Sequence, residues 1–403
     1  MKKSICVIGL GYIGLPTAAI LANKGFRVTG VDINKELIKN LENGKVHIIE
    51  NGLENLVKKV IKNKNLRVQR EVPFSDVFII AVPTPFLKGN NQIPTPNVEF
   101  VMQSTKEISK VFKPDNLIVL ESTSPVGTTK LILNEIKNNS NLVENEINLA
   151  YCPERVLPGN IIKELETNDR VIGGINLKSG ELAKEIYTSF CSGVIHTTNS
   201  DTAELVKLTE NAFRDVNLAF ANEMSIICDE LNIDIKELIY LSNKHPRVNI
   251  LEPGCGVGGH CIAVDPWFIA SQFPDKSDLI QTARKTNNKK SLWVIDKIKQ
   301  KYKHLRDKIK KDPIIGFFGL TFKADVDDIR ESPALEIIKA FLSTNIQFLV
   351  CEPNLSENNL FKLNTLEEVV EKADFLVFLV PHKEFKNINL EYKEYLDTCG
   401  ALN

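Results

Sequence analysis

The 403-residue sequence has no uncharged apolar run approaching the roughly 18 residues that span a bilayer, so no membrane span is expected. It has no basic excess: 50 Lys and Arg stand against 51 Asp and Glu, a formal net charge of −1. A nucleic-acid or anionic-membrane binder carries surplus positive charge, so neither partner is expected and any anion site is local. The eight cysteines form no CxxC pair and no Cys/His cluster at zinc spacing, so no metal is expected. MKKSICVIGLGYIG has the basic start of a secretion signal, but its apolar run is short and broken by glycines. It reads as a buried strand entering a loop. With no export signal, the thiols are expected to be free in a reducing cytoplasm. What is present, 43% hydrophobic and 25% charged residues, suits a globular chain of two or three domains.

The first segment alternates apolar strands with helical patterns. SICVIGLG and FRVTGVD flank a helix-like PTAAILANKG, and DVFIIAVPTP and NLIVLEST follow. Continuous Val/Ile/Leu runs separated by helices imply a parallel sheet covered on both faces. From Ser200, SDTAELVKLTENAFRDVNLAFANEMSIICDELNI has neither Gly nor Pro, opens on a cap signal and is apolar at helical spacing. A helix of that length is expected to span two domains or to build a subunit interface. More helix follows through SDLIQTARKTNNKKSLWVIDKIKQ, and KIKQKYKHLRDKIKKD reads as a solvated helix face leading into a linker.

At Pro313 the α/β pattern returns and echoes the start. IIGFFGLTF leads to a helical SPALEIIKAFL and to IQFLVCEP, which ends in an acid. ADFLVFLVPHKEF repeats the Asp, apolar strand and Val-Pro of SDVFIIAVPTPF. The expected fold is α/β. Two Rossmann-like, doubly wound parallel-sheet domains (residues 1–199 and 301–403) are joined by a central helical domain (200–300) with a long helix.

Gly9, Gly11 and Gly14 in GLGYIG follow a strand and open a helix, and Asp32 ends the next strand. Such glycines permit a tight turn and close backbone approach to a pyrophosphate, while the acid takes the ribose hydroxyls. An acid there repels a 2′-phosphate, which favours NAD over NADP. The second half lacks these glycines, so it is expected to bind something other than a dinucleotide. Its Lys323 and Arg330 suggest phosphate.

In PGCGVGGHCIAVDP, four glycines precede Cys261, with His260 and Asp265 as polar neighbours. Cys261 is either a small core residue or a nucleophile. Beside NAD a thiol has a specific use: it adds to an aldehyde, and the thiohemiacetal is oxidised to a thioester that water hydrolyses. Lys207 and Asn211 are one helical turn apart, with Arg214 extending the same stripe. The lysine is either a surface charge or a stabiliser of a reacting alkoxide. Glu154 in CPERVLPGN either positions the hydrolytic water or makes a surface salt bridge. Thr123 in ESTSPVG either lies at the ligand-binding sheet edge or caps the next helix.

Together, VIGLGYIGLPTA, AVPTPF, ESTSPVGT, CPERVLPG, KLTENAFRDVN, HPRVNI, GVGGHCIAVDP and GLTFKADVDDIRESPA resemble the UDP-glucose/GDP-mannose dehydrogenase family across essentially the whole chain. KHPRVNI and GGHCIAVDPWF resemble its UDP-N-acetylmannosamine-oxidising branch, with His260 and Val257 where UDP-glucose enzymes carry Ser and Phe. The resemblance implies an NAD-dependent four-electron oxidation of the sugar C6 alcohol to a carboxylate, for a bacterial surface polysaccharide. UDP-N-acetylglucosamine and UDP-glucose remain alternative substrates.

It further implies that Cys261 is the nucleophile and Lys207 the acid/base or oxyanion-stabilising group. Asn211 and Asp265 hold water, and Glu154 and Thr123 support hydrolysis and cofactor placement. Gly9, Gly11, Tyr12, Ile13, Gly14, Asp32, Thr84, Thr123 and Arg330 fall on cofactor contacts. Arg155, Val156, Lys207, Asn211, Arg214, His245, Arg247, Gly258, Phe322 and Lys323 fall on nucleotide-sugar contacts. A homodimer is implied, with Arg247 reaching the partner's site. The glycines before Cys261 are expected to clear room for the nucleotide sugar.

Two departures stand out. Cys255 replaces the branch's usual proline, so a Cys255–Cys261 disulfide switch or a chance substitution is expected. The chain stops at LDTCGALN, slightly short of family members, as if a final helix were missing. Two rival readings remain: a β-hydroxyacid dehydrogenase, which needs no cysteine, and a non-catalytic nucleotide-sugar sensor on the same fold.

Overall fold

The computed structural model describes residues 3–48, 50–87, 93–157, 159–390 and 393–402. Pro158 of CPERVLPG lies outside the described residues. The chain divides into two compact units: Met1–Thr209 with Trp267–Gln272, and Glu210–Pro266 with Phe273–Asn403.

The first unit carries strands β1 (Ser4–Ile8), β2 (Arg27–Val31), β3 (Leu66–Gln69), β4 (Val77–Ile80), β5 (Phe86–Leu87), β6 (Thr95–Pro96), β7 (Leu117–Leu120), β8 (Asn148–Tyr151), β9 (Arg170–Gly174) and β10 (Ile195–Asn199). Apart from the small β5–β6 hairpin, they form one sheet in the order β10-β9-β8-β7-β4-β1-β2-β3. The six strands from β3 to β8 are mutually parallel, the dinucleotide-binding order. Because side chains alternate across a strand, Ile5, Val7, Val77, Ile79, Leu117 and Val119 enter one apolar layer. Cys6, Ile8, Phe78, Ile80, Ile118 and Leu120 enter the layer on the opposite face. Both faces are dry, as the unbroken apolar runs require. The sequence did not foretell β9 and β10. β9 runs antiparallel to β8, and the edge strand β10 (IHTTN) has no fully buried residue.

The second unit holds β11 (Ile315–Phe318), β12 (Phe348–Cys351), β13 (Phe375–Phe378) and β14 (Glu394–Asp397), all parallel, in the order β12-β11-β13-β14. This repeats the β2-β1-β4-β7 core of the first sheet. Phe318 and Phe378 stack at 4.7 Å on one face, while Ile315, Phe317, Phe375 and Val377 build the other.

Two helices of 32 residues run Ser200–Leu231 and Asp278–Ile309. The first crosses the boundary between the units after Thr209. The second contains the lysine-rich stretch expected to be a helix face leading into a linker. It continues without interruption to Ile309, because Tyr302 and Leu305 are buried with Val294 and Ile298 in the core of the second unit. The lysines of that stretch occupy the helix's solvent side.

Candidate functional site

In the loop after β1, Gly9 takes φ +91° and its N–H donates to the Val31 carbonyl at 2.8 Å. A Cβ on Gly9 would lie 2.7 Å from the Ala81 carbonyl oxygen, and one on Gly14 only 1.9 Å from that of Gly9. At Gly11 no atom would come within 4 Å, so the backbone there faces open space. One glycine makes the turn, one leaves the approach clear, and one lets the helix Gly14–Asn23 pack. Tyr12 and Ile13, between the second and third glycines, are partly exposed just before that helix. Asp32 follows β2. Its Oδ2 accepts from the Leu10 N–H at 3.0 Å, and its Oδ1 from the Asn34 N–H at 2.9 Å. These residues fit a dinucleotide's pyrophosphate and ribose.

At the carboxyl ends of β4 and β7, the Thr84 hydroxyl donates to the Thr123 carbonyl at 2.6 Å. Thr123 does not cap the following helix, Thr128–Asn139. That end is taken by Glu204 of the long helix, which accepts from the N–H groups of Gly127 (2.6 Å) and Thr129 (2.8 Å) and from the Thr129 hydroxyl (2.6 Å).

Glu154 makes no surface salt bridge. It is 7% exposed and faces Arg170, itself 3% exposed, at 3.2 Å. Arg170 also donates to the Leu165 carbonyl at 3.0 Å and lies against the rings of Tyr187 and Phe190. The other oxygen of Glu154 accepts from the Arg155 N–H at 2.7 Å. The Arg155 guanidinium donates to the Asp169 carbonyl at 3.1 Å, and Val156 follows it half-buried. Buried behind them, Glu121 accepts from the Tyr187 hydroxyl at 2.6 Å. Arg170, Tyr187 and Glu121 were missed in the sequence. Only their burial marks them, and no local motif does.

Burial, and after it the charge of Glu154, pushes the Glu121 carboxyl up to about 7 from its usual 4.5. Between those values the folded chain keeps a proton that the unfolded chain has lost. The stability it provides is whole below the unfolded value and is lost as pH rises toward the folded one. Glu121→Gln keeps an acceptor for Tyr187 and cannot ionise. It is expected to melt higher than the wild type at alkaline pH, with the gap narrowing under mildly acidic conditions. A gap independent of pH, read by calorimetry, would refute the assignment.

On the long helix, Lys207 and Asn211 are each 8% exposed, so Lys207 is not a surface lysine; Arg214 is exposed. The Asn211 side-chain amide donates to Asp265 Oδ2 at 2.6 Å, and Asp265 is 2% exposed. Cys261, partly exposed, opens a turn in which its carbonyl accepts the N–H groups of Val264 (3.0 Å) and Asp265 (2.8 Å). Thiol and carboxylate thereby belong to one turn, and the Asn211 amide is bonded to the carboxylate.

Two of the glycines before Cys261 lie against neighbouring backbone and side chain of the second unit. A Cβ on Gly258 would lie 2.4 Å from the Glu331 carbonyl oxygen, and one on Gly259 2.8 Å from the Phe322 ring. At these two positions the missing side chain leaves room for that carbonyl and that ring. The loop is further anchored by a buried polar ladder. Arg284 and Asn287 donate to Asp215 at 2.6 and 2.8 Å, Asn222 donates to Asn287 at 2.9 Å, and the Gly254 N–H donates to Asn222 at 3.0 Å. Cys255 lies in the apolar core of the second unit. Its thiol donates to the Leu379 carbonyl, and burial pushes it up to about 12. An inert core thiol is a poor redox partner, which removes the support for a Cys255–Cys261 switch.

In the second sheet, Gly319 repeats Gly9, with φ +98° and its N–H on the Cys351 carbonyl at 2.9 Å. Glu352 repeats Asp32, accepting from the Leu320 N–H at 2.7 Å and the Asn354 N–H at 2.9 Å. Lys323 is exposed and Phe322 partly so. Arg330, also expected at the cofactor, pairs with Asp328 through two guanidinium nitrogens. His245 and Arg247 are exposed, linked by the Arg247 N–H to His245 Nδ1 at 3.3 Å.

A glycine loop between strand and helix, an acid after the second strand and the 3-2-1-4-5-6 strand order define a dinucleotide-binding protein. Residues 3–191, 201–289 and 316–400 match the NAD binding, central and UDP binding domains of the UDP-glucose/GDP-mannose dehydrogenase family. The chain belongs to that family, and its cofactor is NAD. It is 49% identical over 399 residues (95% of this chain, 96% of the relative) to a UDP-N-acetyl-D-mannosamine dehydrogenase of Campylobacter jejuni. An NDP-N-acetyl-D-galactosaminuronic acid dehydrogenase of Ralstonia nicotianae is 44% identical, covering 99% of this chain and 96% of the relative. The solved UDP-D-ManNAc dehydrogenase of Pyrococcus horikoshii superposes with a TM-score of 0.91 at 37% identity, covering 99% and 96% of the two chains. No helix among the described residues is long and apolar enough to cross a membrane.

Proposed function

We propose that this chain oxidises the C6 alcohol of UDP-N-acetyl-D-mannosamine to the carboxylate. The observation that carries the chemistry is the turn in which Cys261 leads to Asp265, with Asp265 fixed by Asn211. NAD, when bound at the glycine loop, supplies the hydride acceptor for each of the two oxidations. Lys207 stabilises negative charge on the reacting oxygen. The Cys261 thiolate then adds to the aldehyde carbon, and a second oxidation gives a thioester. Water, oriented by Asn211 and Asp265 and assisted by Glu154, cleaves it to the acid and the free thiol. In balance, one alcohol and one water give one acid, with two NAD reduced.

Thr123 and Thr84 place the cofactor, together with Tyr12, Ile13 and Arg330. Arg155, Val156, Arg214, His245, Gly258, Phe322 and Lys323 hold the nucleotide sugar. The three-domain division at residues 1–199, 200–300 and 301–403 is kept as part of this reading.

A homodimer is supported by Phe213, Phe220 and Ile227, which lie exposed at seven-residue spacing on the long helix with Leu231 one turn beyond. A second copy of the same helix would cover that stripe, and Arg247 would reach the partner's site. Eight free cysteines suit the cytoplasm.

The test is the NADH formed per mole of limiting sugar under excess NAD. UDP-N-acetylmannosamine is compared with UDP-N-acetylglucosamine, UDP-glucose and, because of the Ralstonia relative, UDP-N-acetylgalactosamine. Two NADH from the first alone supports the reading. One NADH rules out the thioester step, and none from any sugar favours a sensor.

A further inference from the structure

The second Rossmann-like half keeps the frame of a dinucleotide site but has closed it with its own side chain. In the first half the acid after β2 is half-buried and accepts the backbone N–H groups of Leu10 and Asn34. In the second half the equivalent Glu352 is 4% exposed and meets His382, which is fully buried. His382 follows the repeated Val-Pro after β13. Its Nδ1 accepts from the Asp325 N–H at 3.0 Å, which places the ring proton on Nε2. That nitrogen lies 3.0 Å from Glu352 Oε2 and 3.3 Å from the Thr321 hydroxyl. Thr321 in turn donates to the Lys323 carbonyl at 2.8 Å, and Glu352 Oε2 also accepts the N–H groups of Leu320 and Thr321. The ends and middle of the segment Leu320–Asp325 are thus tied to one buried Glu–His pair.

We infer that Glu352 and His382 are positioning residues for the substrate, holding the segment that presents Phe322 and Lys323 to the nucleotide. The ribose-binding acid of an ordinary dinucleotide site here serves a loop. This rests on the function proposed above, since it takes Phe322 and Lys323 as contacts of the nucleotide sugar.

Three full-length variants separate this role from plain packing. His382→Asn keeps an acceptor near the place of Nδ1. His382→Gln reaches toward Glu352 with a donor but leaves the Asp325 amide without its partner, and His382→Leu removes both. UDP affinity is read by titration calorimetry, alongside KM for sugar and for NAD, kcat and melting temperature. The Leu variant is expected to weaken UDP binding and raise the sugar KM about tenfold, given the steep cost of small misplacements. Its KM for NAD should not move. The Asn variant is expected to recover most of the loss and the Gln variant less. If the Leu protein does not fold, the order of Asn above Gln carries the test.

UDP affinity within about twofold of the wild type in every folded variant, too small a change for a lost positioning contact, would overturn the inference. So would a KM for NAD that rises in step with that for sugar. Wild-type protein that fails to bind UDP would overturn the proposed function, and this inference with it.

Discussion

Cys261→Ala is expected to lower formation of the acid by about a thousandfold or more, the scale on which removal of a nucleophile acts. UDP and NAD affinities should stay within a few-fold. The side chain is small and partly exposed, and the carbonyl of Cys261 accepts two N–H groups of the turn it opens. Melting temperature should therefore barely change. Without the thiol no thioester can form, so single-turnover absorbance should show at most one NADH per sugar. Two NADH per sugar at a near-normal rate would return the chain to a cysteine-independent dehydrogenase. Cys255→Ala makes the matching control. That thiol belongs to the core of the second unit, so the change should cost stability and leave the chemistry intact.

The second large effect is on stability. Arg170→Leu removes the cation that faces Glu154, in surroundings that also hold Glu121. Breaking a buried pair from one side costs about 3–5 kcal/mol, because the surviving charge has no water to return to. At about 2–4 °C per kcal/mol for a unit of this size, melting should drop by about 10 °C. The double change Arg170→Leu with Glu154→Leu should recover much of that loss, since an apolar pair of similar volume is often neutral. It would not recover the hydrolysis assigned to Glu154. A single variant that melts with the wild type would show that the pair is solvated in solution.

Much of the first site could be read from sequence because its chemistry is local. GLGYIG and Asp32 are fixed by one turn and one strand length, and the structure gives the three glycines the three roles their spacing implies. Asn211 and Asp265 were singled out separately, and the fold joins them by a hydrogen bond across 54 positions. The polar groups behind the site left no such trace. Arg170 lies in a strand that alternation did not reveal, and Asn222, Asn287 and Arg284 look like ordinary helix-surface residues until two 32-residue helices bury them. The glycines before Cys261 show the opposite failure. Their demand for space was legible, but the neighbours of Gly258 and Gly259, the Glu331 carbonyl and the Phe322 ring, were not.

The carboxylate of Glu204 on the amides of Gly127 and Thr129 has a consequence for inhibition by simple salts. Among the helix starts of the first unit, those at Lys35, Leu177 and Ser200 have N–H groups donating to the side chains of Asn34, Asn176 and Asn199, and the one at Ile161 to Glu50. Two more helices start after Gly11 and after Gly127. The second already carries the Glu204 carboxyl group on its N–H groups. Sulfate or inorganic phosphate entering this unit therefore has the glycine loop as its address. Inhibition through this unit should be relieved by raising NAD, with no second, NAD-insensitive component.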